Sequence, residues 1–338
     1  MEKISKETNI KKKLFTHEKF LILCSYQFGG VPEWPKGSDC KSDGTAFEGS
    51  NPSPSTILFL IFPLTLDLQI MKVISFNING IRARLHQLEA LIKKHEPDVI
   101  GLQEIKVHND SFPVEAIEKM GYYPDFNGQK AHYGVAFLSK KKPVKSIHSF
   151  PSDDGNEQKR IIIHTYDYNG KEITIINGYF PQGENIKHET KFPLKRKFYA
   201  DLNNYLERYH TASDNLIVMG DINISPTNLD IGIGEPNAKR WLRTGKTSFQ
   251  PEEREWLAKL QSWGLHDSFR EKYPNVDDKF SWFDYRSKGF LDNRGLRIDV
   301  LFVTKSMLNI LNDSGIDYEI RGIEKPSDHA PVWSTFKL

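Results

Sequence analysis

The polar residues that stand at the ends of apolar runs are the first candidates for chemistry. Asn77 closes KVISF, Glu104 follows DVIGLQ, Asn177 ends ITIIN, and Asp221 and Asn223 come just after LIVMG. Open α/β sheets place their ligands at the carboxyl ends of strands. A single Asp or Asn at such a place is usually a turn or cap residue; five of them in one chain point to a shared site. Towards the C-terminus, Ser327-Asp328-His329-Ala330-Pro331 sets an acid beside an imidazole immediately before a final apolar run. Asp299 lies inside the otherwise apolar stretch Ile298 to Val303. A carboxylate buried there needs a partner, and a histidine proton is a suitable one. Asp299 and His329 therefore read as a buried acid–imidazole pair, in which one ring nitrogen is held and the other is left for a phosphate or a water.

These positions need a scaffold, and from Met71 onward the chain alternates short apolar runs with amphipathic ones. Lys72 to Phe76 and Asp98 to Gln103 are β-branched-rich, and between them Leu85, Leu88, Leu91 and Ile92 recur on one helical face, a βαβ opening. Further strands are expected at Gly134 to Leu138, Arg160 to Tyr166, Ile173 to Asn177, Leu216 to Gly220, Ile298 to Val303 and Val332 to Phe336. Helices are expected over Lys191 to Tyr209 and Glu252 to Trp263. Mixed strands and helices in two halves imply an α/β fold with two packed sheets and helices outside. No Gly/Ser-rich linker divides residues 71–338, so they form one domain.

The first 70 residues differ in texture. Gly29 to Thr56 is dense in Gly, Pro and Ser and has neither helical nor strand periodicity. Ile57 to Leu66 has about half the roughly 20 residues a membrane helix needs, is interrupted by Pro63, and lies too deep for a secretory signal. Residues 1–70 thus read as a disordered or wrongly assigned extension. FEGSNPSPS within it resembles the translated T-arm of a transfer-RNA gene, which would make Met71 the true start. Both cysteines, Cys24 and Cys40, fall here, so no disulfide framework or cysteine-ligated metal is available downstream. Over the 338 residues, 46 Lys+Arg meet 44 Asp+Glu, which excludes a polybasic coat protein, and 38% hydrophobic content excludes wholesale disorder.

SFNINGIRAR, GLQEIKV, INGYFPQGE, GDINISPTNLDIGIGE, RWLRTGK, FSWFDYRSKGF, DNRGLRID and EKPSDHAPVW follow one another in that order. Through these motifs residues 71–338 resemble the exonuclease III family of bacterial abasic-site endonucleases, in the endonuclease/exonuclease/phosphatase superfamily, along essentially their whole length. The resemblance implies a four-layer α/β sandwich, two mixed β-sheets flanked by helices, with the site at one end of the sheets. It implies metal-dependent hydrolysis of DNA phosphodiesters, with magnesium as the usual ion and manganese as a substitute. Glu104 would be the metal carboxylate, with Asn77 beside it and Asp328 in support. Tyr179 and Asn223 would hold the scissile phosphate, Asp221 would handle the proton of the attacking water or leaving oxygen, and Asp299 would orient His329. Either Asp221 or His329 can be the base. Arg160, Gln182, Lys191, Trp282 and Arg286 would contact DNA, Trp282 as a wall of the pocket for an abasic deoxyribose. The expected partner is duplex DNA with abasic sites or blocked 3′ ends, met by a monomer in the cytoplasm at the nucleoid, with no membrane involved.

The chemistry of the residues agrees. Magnesium keeps several waters and takes only one or two protein carboxylates, so Glu104 suffices as its main ligand. Positioned acid–base groups give about 10²- to 10⁴-fold, far short of what phosphate-ester hydrolysis requires, and a cation with further electrostatic stabilisation must provide much of the rest. The grip on DNA would come from three basic clusters: Lys191, Lys195, Arg196 and Lys197; Arg240, Arg243 and Lys246; and Arg286, Lys288, Arg294 and Arg297. Two other readings compete. A small-molecule phosphatase acting on inositol phosphates or phospholipid heads would share the metal site, but has no use for the WFDYRSKGF segment or the basic loops. A catalytically silent nucleic-acid-binding module would be expected to lack some of Glu104, Asp221, Asp299 and Asp328.

Overall fold

The computed structural model describes residues 69–153 and 158–338. The extension expected over residues 1–70 lies outside the described residues, apart from Gln69 and Ile70. The first strand, β1, spans Ile70–Asn77 and so begins two residues before the expected Lys72. It is followed by α1 (Leu85–His95), β2 (Val99–Gln103), α2 (Val114–Lys119), β3 (Tyr123–Asn127), β4 (Val135–Ser139) and β5 (Lys145–Ile147). Next come β6 (Ile161–Tyr168), β7 (Lys171–Tyr179), α3 (Lys191–Tyr209), β8 (Leu216–Asp221), α4 (Glu235–Thr244) and α5 (Pro251–Trp263). The chain ends with β9 (His266–Asp267), α6 (Ser268–Lys272), β10 (Asp299–Val303), α7 (Lys305–Asn309), β11 (Leu311–Ile316), α8 (Tyr318–Arg321) and β12 (Val332–Lys337).

The strands form two six-stranded sheets, ordered β11-β12-β1-β2-β4-β3 and β5-β6-β7-β8-β10-β9. Both are mixed: β1 and β2 run parallel, as do β7 and β8, while β12 pairs antiparallel with β1 and β10 antiparallel with β8. Their inner faces meet in a core that includes Val73, Val99, Phe137, Ile162, Ile175, Met219 and Leu301. α3 and α5 cover one outer face through Phe198, Leu202, Leu206, Leu257 and Leu260, and α1 and α2 cover the other through Leu88, Leu91 and Ile117. The result is the expected four-layer sandwich. Gly101 sets the spacing at the centre, since a Cβ there would come within 2.4 Å of Met219 Cε and 2.8 Å of the Asn177 amide carbon.

Asn177, expected at a strand end, is not there. β7 continues to Tyr179, and the Asn177 amide turns between the sheets, accepting from Gln103 Nε2 at 2.6 Å and donating to the carbonyls of Leu102 and Ala136 at 3.1 and 3.0 Å. It joins the sheets just below their carboxyl ends, where a polar group surrounded by apolar neighbours must have all its hydrogen bonds made.

Candidate active site

Each parallel strand pair ends at the same edge of the sandwich, and the two edges face one another. From the first sheet come Asn77, the last residue of β1, and Glu104, one residue past β2. From the second come Tyr179 and Asp221, the last residues of β7 and β8, and Asp299, the first residue of the antiparallel β10, which therefore starts where β8 ends. The side chain of Asn77 bridges the sheets, with Nδ2 donating to Asp221 Oδ2 at 2.9 Å and to Glu104 Oε1 at 3.2 Å. Its Oδ1 accepts the Asn79 backbone N–H at 3.1 Å, so Asn77 turns its nitrogen, and not its oxygen, towards the two carboxylates.

Asp299 and His329 meet as their types demand. Asp299 Oδ2 lies 2.8 Å from His329 Nδ1, and His329 Nε2 faces Asp221 Oδ2 at 3.8 Å. Ser281 Oγ accepts the Asp299 N–H at 2.9 Å, and Ser327 Oγ donates to the Asn77 carbonyl at 2.7 Å and accepts the His329 N–H at 3.1 Å. Burial disfavours charge on all of these groups, and the outcome depends on their neighbours. Burial pushes Asp221 up to about 8, and the Asp299 and Glu104 carboxylates add to the rise. Burial alone would lower the His329 imidazole, but Asp299 and Asp221 outweigh it and carry it up to about 10. Burial would also raise Asp328, yet the charge of His329 and donation from Asn79 and Trp282 hold it below the usual carboxylate range. Burial, with Glu104 and Asp221 nearby, keeps the Tyr179 hydroxyl well above the ordinary phenol range, so it is a neutral donor.

A cavity of about 170 Å³ brings together Glu104, Tyr179, Gln182, Asp221, Asn223, Trp282, Asp328 and His329. A second, of about 210 Å³, adjoins it through Glu104, Tyr179 and Gln182 and adds Lys106, Arg160 and Lys191. A third, of about 120 Å³, shares Trp241 and Trp282 with the first and is lined by Arg240 and Arg294. The site is therefore an open trough. Arg160 is buried in its wall, with its guanidinium over the Tyr133 and Tyr179 rings at 4.3 and 4.7 Å and an N–H donating to the Tyr179 carbonyl at 3.0 Å. Arg286 is exposed on the loop after Trp282 and lines none of these three cavities. The donor set is a cluster of carboxylates with one imidazole, which suits a hard divalent cation. Lys106 Nζ lies 2.7 Å from Glu104 Oε2, a positive charge already drawn to the place where such a cation is favoured. Asp221, Asp299 and His329 also present ligand atoms within 4.8 Å of one another. Since Asp299 Oδ2 and His329 Nδ1 engage each other, the Glu104 side is the better seat for a metal.

The sequence pattern of the Endonuclease/Exonuclease/phosphatase family matches residues 74–329, a span that contains every residue of the trough. This chain belongs to that family. Over 267 residues it is 59% identical to the exodeoxyribonuclease III of Haemophilus influenzae, covering 79% of this chain and 100% of the relative. Among solved structures it is similar to the 3′ phosphatase NExo from Neisseria bound to a product DNA hairpin, at 33% identity and a TM-score of 0.72 over 79% of this chain and 100% of that one. It is similar to an AP endonuclease from Archaeoglobus fulgidus at 30% identity and a TM-score of 0.72, with the same coverage.

For this member of the endonuclease/exonuclease/phosphatase family, the basic clusters need correction. Lys195 and Arg297 are not surface cations. Lys195 is fully buried against Glu253, and Arg297 is buried between Asp230 and Asp267, at 2.6 Å from each. Arg196 pairs with Glu252 at 2.6 Å, Lys197 with Asp201 at 2.7 Å, and Lys191 with Glu184, so the outer face of α3 is largely neutralised. Sequence reasoning also passed over Asn79, whose Nδ2 donates to Asp328 Oδ1 at 2.8 Å and whose Oδ1 accepts from Lys106 at 2.6 Å. Its signal was available two residues beyond Asn77 in the same motif. No helix among the described residues is long and apolar enough to cross a membrane.

Proposed function

We propose that this chain is a DNA repair nuclease that hydrolyses phosphodiesters with a divalent cation, magnesium or in its place manganese. It cuts duplex DNA at abasic sites and removes nucleotides and blocking groups from 3′ ends, working as a monomer in the cytoplasm at the nucleoid. The observation that carries the reading is the trough. Asp221 lines its central cavity, and the adjoining cavities carry Arg160 on one side and Arg240 on the other, with Lys106, Lys191 and Arg294 beside them, each paired with a carboxylate. An inositol phosphate would need only the central cavity, whereas a polymer of phosphates uses the flanks. The relatives named above point the same way.

Burial and the neighbouring carboxylates raise the proton affinity of Asp221, so its ionised form, which gains population as pH rises towards 8, can take a proton from the attacking water. The Tyr179 phenol, the Asn223 side chain and the His329 imidazolium line the cavity wall where the phosphoryl oxygens gain charge as the bond to the leaving oxygen breaks. Asp299 keeps His329 protonated and aimed. Glu104 would hold the cation, with Asp328 in support and Asn77 keeping Glu104 and Asp221 in register. When bound, the cation supplies positive charge against the phosphoryl and leaving oxygens. Trp282, with Leu296 and Ile298, walls the space that accepts the abasic sugar, while Gln182, Lys191, Arg160 and Arg286 contact the strand on either side.

The test is a duplex with one synthetic abasic site, compared with an inositol phosphate, each with magnesium and with a chelator. Cleavage of the duplex at the abasic site, abolished by chelation, is expected. Phosphate release from inositol phosphate with an intact duplex would overturn the reading.

A further inference from the structure

Beneath the site, one buried ion pair joins three loops and takes no part in the reaction above. Lys195 on α3 is fully buried, and its Nζ donates to Glu253 Oε1 on α5 at 2.5 Å, to the Asn223 carbonyl at 2.8 Å and to the Gln182 carbonyl at 3.2 Å. An ammonium has three donors, and all three are engaged. The other Glu253 oxygen accepts the backbone N–H groups of Ser248 and Gln250, each at 2.8 Å. The Ser225 N–H donates to the Ser248 carbonyl at 2.6 Å and closes the ring. Each of the three loops sends a residue into the catalytic cavity: Gln182, Asn223 and Ser248.

The backbone at this hub is unusual. Ser248 has φ +107°, which a residue with a side chain holds only when its surroundings over-determine it, and Asn223 has φ +54°, in the left-handed region that asparagine tolerates. The Asn223 turn also directs the Asn223 N–H onto Asp221 Oδ1 at 3.0 Å, so its shape reaches the base directly. A buried ion pair is a poor source of stability compared with apolar residues of the same volume. Its distinctive contribution here is directional, because an apolar side chain in place of Lys195 could not hold two carbonyls.

We propose that Lys195 and Glu253 are positioning residues for the hydrolysis, fixing the two left-handed turns that aim Asn223 and Asp221 at the scissile phosphate. This rests on the function proposed above. Loss of the pair should slow turnover far more than it weakens DNA affinity, because Gln182 is the one proposed DNA contact that the hub holds, while Arg160, Arg240 and Arg286 lie outside it.

Lys195→Met alone would strand the Glu253 carboxylate in the interior. The informative variant is Lys195→Met with Glu253→Gln, which removes both charges and leaves an amide oxygen for Ser248 and Gln250. Three measurements are made on the full chain: single-turnover cleavage of a synthetic abasic duplex, the Kd for that duplex, and amide hydrogen exchange. Cleavage should slow by about 10- to 100-fold, the scale of a small misplacement of reacting groups, with the Kd within about threefold. Exchange at residues 223–225 and 248–250 should quicken at least about tenfold while that of β8 holds, the mark of a local opening. Unchanged exchange, or cleavage and affinity lost together in proportion to unfolded protein, overturns the proposal. If the double variant lacks a cooperative melt, the same measurements on Lys195→Arg decide, since a guanidinium keeps the charge but cannot reproduce the three acceptor contacts. A wild-type chain that leaves the duplex uncut refutes the proposed function, and the exchange comparison still judges the hold on the two turns.

Discussion

An Asp299→Asn substitution removes one negative charge from beneath His329 and keeps the shape of the site. In the native protein the imidazole stands at about 10 instead of 6.5, carried there against burial by Asp299 at 2.8 Å and Asp221 at 3.8 Å. At 1.36 kcal/mol per pH unit, that rise is a preference of roughly 5 kcal/mol for the imidazolium. Asp299 is the nearer and the hydrogen-bonded partner. Its loss therefore lowers the His329 value in the variant. The sign follows from the raised value: the protonated form persists below the pKa and is lost as pH rises through it. The alkaline limb of the cleavage rate should therefore move down from near 10, by about one pH unit or more. At neutral pH an additional loss of about 10- to 100-fold is expected, because an amide orients the ring less firmly than a carboxylate. Proton NMR of the histidine side chains from pH 6 to 11, beside single-turnover cleavage over the same range, reads both effects. A His329 resonance still titrating near 10 in the variant, or a native rate at pH 7.5, would show that Asp299 does not hold the imidazole in its charged form.

Glu104→Gln should raise the half-saturating magnesium concentration of cleavage by about tenfold or more, since an amide oxygen lacks the charge that draws a hard cation; an unchanged titration would take Glu104 out of the metal site. Binding to an undamaged duplex should fall with salt at a log-log slope of roughly −4 to −5, for four to six phosphate contacts along the trough. A flat salt response favours a small-molecule substrate instead. Away from the site, burial would raise Asp125, but donation from His148, His164 and Ser146 holds it well below the ordinary carboxylate range. A depressed acid contributes its stability above the unfolded-state pKa and loses it as pH falls. Asp125→Asn should thus cost about 2 kcal/mol at pH 7, and urea melts should show the gap closing below about pH 4. A gap as wide at pH 2 as at pH 7 would mean that packing, not charge, does the holding.

The carboxylate at the heart of the candidate site was legible in the sequence because charge inside an apolar strand is costly without a partner, and Asp299 in DVLFV announces both the cost and the need. Asn177 gave the same signal and meant something else. β7 runs two residues past it, and only the position of the opposite sheet shows that its amide serves Gln103 and two carbonyls. Lys195 and Arg297 looked like members of surface clusters because their partners are distant in the chain, Glu253 by 58 residues and Asp230 by 67. Local charge patterns carry no trace of such pairs. The edge strands β3 (YPDFN) and β11 (LNDSGI) escaped for a related reason, since each pairs on one side only and can carry Pro, Asp and Asn. α3 needed no such context and spans Lys191–Tyr209 as expected, with Phe192, Phe198, Tyr199, Leu202, Tyr205 and Leu206 on its buried face.

The sheet order has a consequence for the birth of the protein. β12, the last strand in chain order, is an interior strand between β11 and β1, and its pairing with β1 spans almost the whole of the described residues. His329 is delivered to Asp299 just before this strand begins. Such non-local closure comes late in folding. While the chain is being made, the first sheet lacks the strand that joins β11 to β1, and the site lacks its imidazole. A ribosome paused anywhere upstream of Val332, or a message truncated there, therefore yields an inert polypeptide and not an unrestrained DNA-cutting fragment.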